Sequence, residues 1–189
     1  MSDDHIQFDA FTNGIEKGGL RNKAEINLLV NFIVAKVGVN VTEDVIENAL
    51  FTAGIANYFE VAEAVYNAKK KGFLVEDGEG YLSATDECKR LIEMVEDDLP
   101  QHIKEHSLEI VRKAAKIEFN KKETETAVHE AEDGTFDITL RILGKKSDLM
   151  ALTINMPTED EARHAREKFL LDPLKIYDSV LISLFNDLK

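Results

Sequence analysis

At Lys116 the hydrophobic pattern of this 189-residue chain changes period, and that change limits what the chain can fold into. Before it, apolar residues recur every three or four positions: Ile26, Leu29, Val30, Ile33, Val34 and Val37, then Phe59, Ala62, Val65 and Tyr66, then Cys88, Leu91, Ile92, Val95 and Leu99. After it, Thr124, Thr126 and Val128, and then Phe136, Ile138, Leu140 and Ile142, alternate with charged or small residues. A 3.6-residue period turns one helical stripe toward a core, whereas a period of two turns one face of a strand there. The expectation is an α+β chain with two parts, residues 1–115 mainly helical and residues 116–189 built as β-β-β-α-α.

Turn and cap chemistry divides the first part. Gly14, Gly18 and Gly19 make a lead-in arm, and helix one runs from about Asn22 to Val37 before Gly38. A short extended piece, Val39 to Val41, precedes Thr42, an N-cap with Glu43 and Asp44 behind it, so helix two spans about Glu43 to Ala53. Asn57 with Glu60 three residues on has the spacing of a capping box and opens helix three, which ends at Gly72. Phe73 to Ser83 then reads as a β-hairpin around a Gly-rich turn. Thr85 and Asp86 open helix four, and beyond Pro100 helix five covers about Gln101 to Ala115. Three helices, a hairpin and a further helix in this order form the winged helix-turn-helix arrangement.

In the second part, Asp133-Gly134 and Gly144 to Ser147 are turns, which makes three strands of an antiparallel meander. The third, Leu149 to Met156, reads as apolar on both faces over its middle. Thr158 with Glu161 caps helix six, about Glu159 to Leu170, and Asp172-Pro173 opens helix seven. The stripe Leu174, Tyr177, Leu181, Leu184 and Leu188 on that last helix is longer than a small meander needs, so it is expected to join two copies in a homodimer.

Several of these segments carry a resemblance. Gly14 to Ile26 (GIEKGGLRNKAEI), Asn57-Tyr58-Phe59, Asp97-Asp98-Leu99-Pro100 and Met156-Pro157-Thr158-Glu159 resemble one bacterial family, classed as a domain of unknown function and described as winged-helix transcriptional regulators. The resemblance extends from about residue 6 to residue 187. It implies a DNA-binding-type module joined to a small α+β domain, and it brings no substrate, ligand or target sequence. Tyr81 to Leu91 is also similar to the wing exit of many bacterial winged-helix regulators. Thr85 and Leu91 hold that pattern, while Cys88 stands where glycine is common.

Charge bears on the partner. The formal net charge is −13 and both halves of the chain are acidic, so any face that neutralises DNA phosphates must be local. With Phe59, Ala62, Val65, Tyr66 and Phe73 placed toward the core, the open face of helix three carries Asn57, Glu60, Glu63, Asn67, Lys70 and Lys71. Asn67 could read adenine and Lys70 a guanine or a phosphate, with Lys71 beside them at the groove and Arg21 and Lys23 on phosphate. These six polar and basic residues, Arg21, Lys23, Asn57, Asn67, Lys70 and Lys71, are the candidate contacts to double-stranded DNA. Against them stand Glu60 and Glu63, and an acidic wing of Glu76, Asp77 and Glu79. The rival reading is a winged helix that contacts a protein partner through those acids, because a fold does not determine its function.

Other chemistry finds little purchase. His102-Ile103-Lys104-Glu105-His106 matches the H-x-x-E-H pattern of zinc hydrolases, but no third ligand stands near it. Cys88 is the single cysteine, which excludes disulfides within the chain and zinc sites built on paired cysteines. Gly14, Gly18 and Gly19 lack the Gly-Lys-Ser/Thr ending of a phosphate loop. No catalytic residue, metal or cofactor is expected, and the chain is not read as an enzyme. Residues 1–5 are acidic and polar, unlike a signal peptide, and no uncharged apolar run reaches the roughly 20 residues of a membrane span. The expected location is the cytoplasm.

Overall fold

A computed structural model describes residue 20 and residues 22–185. Among the described residues there are seven α-helices and two three-stranded antiparallel sheets, a mixed α+β architecture. No helix among them is long and apolar enough to cross a membrane. The chain divides into two compact units, residues 1–115 and 116–189.

In the first unit, α1 (Lys23–Lys36) starts where the Asn22 side chain accepts a hydrogen bond from the Ala24 amide. Its residues Ile26, Leu29, Val30, Phe32, Ile33 and Val34 are all buried, which makes it the central helix of the unit. Strand β1 (Val41–Thr42) leads into α2 (Glu43–Thr52), capped by Thr42, and α3 (Tyr58–Lys70) follows a turn at Gly54, where φ is +64°. β2 (Leu74–Glu76) and β3 (Tyr81–Ala84) form the hairpin, with Leu74 opposite Ala84 and Glu76 opposite Leu82. The Asp77 carboxylate accepts from the amides of Glu79 and Tyr81 and pins the turn, while Gly80 supplies its positive φ.

The sheet has the order β1-β3-β2, so the extended piece before α2 is a third strand, and Val41 lies opposite Leu82. The Thr85 hydroxyl donates to the carbonyls of Gly72 and Phe73 and accepts from the Cys88 amide, tying the hairpin exit to α4 (Asp86–Val95). A 3-10 turn at Glu96–Asp98 then precedes α5 (Gln101–Lys121). Arg112 on α5 donates to the carbonyls of Lys36 and Val37 and so satisfies the open end of α1. This last helix runs six residues past the expected end at Ala115, with Ile117 packed on the core of the second unit. The change of period at Lys116 therefore falls inside a helix.

In the second unit, β4 (Thr124–Glu130), β5 (Phe136–Ile142) and β6 (Met150–Met156) form a meander in that order. Val128, Ile138 and Ile154 lie side by side across the three strands, as do Thr126, Leu140 and Leu152, so one face is apolar. The opposite face is polar: Arg141 pairs with Glu125 and Asp148, Thr139 with Thr153, and Asn155 with Asp137. The third strand is thus apolar on one face only, which corrects the sequence reading. Its run Met150, Leu152, Ile154 and Met156 obeys the period of two once Ala151, Thr153 and Asn155 are assigned to the polar side. Helix α6 (Glu159–Leu171), capped by Thr158, closes the apolar face with Ala162, Phe169 and Leu170, and α7 (Pro173–Phe185) follows.

Candidate functional site

The orientation of α3 decides which side chains the first unit offers to a partner. Val61, Ala64, Val65 and Ala68 are buried, a stripe whose two alanines let α3 approach the core closely. The face turned outward carries Phe59, Glu63, Tyr66 and Lys70 at spacings of four, three and four. Phe59 is 75% exposed and Tyr66 60%. This reverses the expected placement of those two rings in the core. Asn57 and Glu60, expected on the open face, are buried.

Asn57 is 7% exposed and its side-chain oxygen accepts from the Phe59 amide at 2.9 Å, so it caps α3 and is withdrawn from any groove contact. The physical reason for the reversal is volume. The helix can turn either of two apolar stripes inward, and the one with alanines fits against α1 where two large rings would not.

The cations distribute unevenly. Lys23 pairs with Glu63 at 2.8 Å, and that carboxylate holds its ammonium above the ordinary lysine value. Lys69 bridges Glu43 at 2.6 Å and Glu76 at 2.9 Å, and hydrogen bonds to both raise its pKa too. Asn67 is half-exposed, and Lys70 and Lys71 are exposed; these three stand together at the C-terminal end of α3. Arg21 lies outside the described residues. Beside α3, the hairpin exposes Val75, Glu76, Asp77 and Glu79.

An aromatic cluster borders the outer face. Tyr58 meets Phe51 edge to face at 6.4 Å between centroids and Phe59 at 5.7 Å, and Phe51 is itself exposed. Beneath it lies Glu47, only 3% exposed, whose carboxyl is pushed above its usual value by burial; a hydrogen bond with the Tyr58 hydroxyl pulls it part of the way back. The same bond raises the Tyr58 phenol. Sequence reasoning missed both Glu47 and the exposed rings. The usable signal is the spacing Val61, Ala64, Val65, Ala68, as regular as the stripe that holds Phe59 and Tyr66.

His102 and His106 are exposed on α5, and Glu105 between them accepts from Gln101. Among the described residues no three His, Cys, Asp or Glu side chains gather as metal ligands would. Cys88 is buried with its thiol against Asn31, and burial raises its pKa, the reverse of what a reactive thiolate needs. On α7, Leu174 and Leu184 are exposed, Tyr177 and Leu181 are half-buried, and Leu188 lies outside the described residues.

The family model described as Domain of unknown function (DUF4364) matches residues 26–184. No curated protein and no solved structure matches the chain significantly.

Proposed function

The chain belongs to the DUF4364 family, whose description names no activity, and we propose from its own geometry that the first unit is a winged helix-turn-helix that docks α3 on a partner protein. The winged-helix reading is supported by the order α1-β1-α2-α3-β2-β3 and by the pairing of β1 with β3. One observation carries the partner reading: two aromatic rings, Phe59 and Tyr66, stand exposed on the outer face of α3, which they share with Glu63 and a single cation, Lys70. Aromatic residues are enriched at protein interfaces, where a few well-packed side chains, tyrosine often among them, carry most of the binding energy. Glu63, paired with Lys23, shares the face of the rings, and the hairpin of the same unit exposes Asp77 and Glu79, so the complementary surface is an apolar pocket with a Lys- or Arg-containing rim.

A second reading, regulation of transcription by binding duplex DNA as a dimer, has its own support. Asn67, Lys70 and Lys71 share the exposed end of α3, where they could reach a base edge and phosphates. Lys23 is committed to Glu63 and Lys69 to two carboxylates, which leaves few cations for phosphate.

A photo-crosslinking residue at position 59 or 66, introduced into the full chain in cells, tests the two together. The protein reading expects adducts of protein mass that disappear when the other ring is replaced by alanine. Nucleic-acid adducts, or enrichment of one sequence from random duplexes at physiological salt, would overturn it in favour of the DNA reading.

A further inference from the structure

We propose that β6 pairs antiparallel with β6 of a second copy of this chain, joining two meanders into one six-stranded sheet. β6 is an edge of its sheet, seven residues long, and contains no charge, proline or glycine. Natural edge strands are normally protected by such residues, and an unprotected one is a template for pairing. The other edge, β4, is protected: it carries Glu125, His129 and Glu130.

The strand suits a copy of itself. With Thr153 at the two-fold axis, Met150 lies opposite the second copy's Met156, Ala151 opposite Asn155 and Leu152 opposite Ile154. Every pair then joins like faces, as the pleat requires. The apolar face continues through Leu152 and Ile154, which α6 leaves half-exposed or exposed, and the polar face continues through Thr153, already paired with Thr139.

Charge favours the antiparallel orientation. Beyond one end of β6 the turn holds exposed Lys145 and Lys146; beyond the other, α6 opens with exposed Glu159, Asp160 and Glu161. Centring the pair on Thr153 runs the two lysines alongside the partner copy's acids, once on each side of the axis. A parallel arrangement would bring lysines to lysines and acids to acids.

The interface is read from mass in solution at tens of micromolar, using the full chain. The expected result is a particle of about twice the 21.3 kDa chain mass. Lys145→Glu with Lys146→Glu should weaken dimerisation at least tenfold with the circular dichroism unchanged, and so should Asp160→Lys with Glu161→Lys. Mixing these two variants should restore a dimer made of one of each, because both contacts are then complementary. Thr153→Cys should give a disulfide-linked dimer on mild oxidation, since opposed residues of an antiparallel pair have Cα atoms roughly 4.5–5.5 Å apart, within disulfide range. A monomer would overturn the proposal. So would a dimer that ignores the charge variants and does not cross-link at position 153, and one that dissolves only on Leu184→Asp would place the interface on α7 instead.

Discussion

Two alanine substitutions two positions apart on α3, at Phe59 and Val61, test its orientation, on which the candidate interface depends. Val61 is fully buried, so Val61→Ala removes two buried carbons at about 0.8 kcal/mol each and leaves a cavity, for a total of about 2–3 kcal/mol. Phe59→Ala removes far more atoms, but three-quarters of the residue is in water. What it loses is the edge contact with Tyr58, worth about 0.5–1 kcal/mol at such a position, and alanine's better helix propensity returns several tenths. If Phe59 were in the core, as its place in an apolar stripe suggested, the same change would cost about 3–5 kcal/mol. Urea unfolding with a common slope separates these cases by the midpoint alone. The expected order is Val61→Ala well below Phe59→Ala, with Tyr66→Ala beside the latter. A loss above about 2 kcal/mol for Phe59→Ala, or below about 0.5 kcal/mol for Val61→Ala, would show that the helix faces the other way.

Glu47 carries a pH signature. Its folded carboxyl holds a proton more tightly than the unfolded one, so its contribution is complete below the unfolded pKa of about 4.3 and is lost as pH rises through the raised folded value. Glu47→Gln should therefore gain stability relative to the parent as pH rises from about 4 to 7, and a difference that does not change over that range would refute the buried charge. Asn57→Ala should cost about 1 kcal/mol in urea unfolding through loss of the α3 cap, with Asn57→Asp nearly neutral; a larger loss for Asp than for Ala would contradict the cap. His102 and His106 should hold no zinc through dialysis, because no third ligand joins them among the described residues. One tightly bound zinc per chain, absent in His106→Ala, would reinstate the hydrolase motif.

Caps and strand alternation are local properties, legible in the chain before it folds. Thr42, Thr85 and Thr158 each cap the helix their position announced, because an N-cap needs only a side-chain oxygen and the next turn of backbone. The strands of the meander follow from alternation, since a one-residue slip would turn every apolar side chain to water, and Ile138, Leu140 and Ile142 are buried on one face.

Tertiary structure decided the rest. β1 is two residues long, too short for any period, and became a strand only because β3 offers it an edge. α5 continues to Lys121 because Ile117 has a core to meet beyond the change of period. Above all, α3 has two apolar stripes of similar regularity, and periodicity cannot rank them. The space beside α1 admitted Val61, Ala64, Val65 and Ala68 and left Phe59 and Tyr66 in water, because close packing selects by volume and shape, which a pattern of apolar letters does not record.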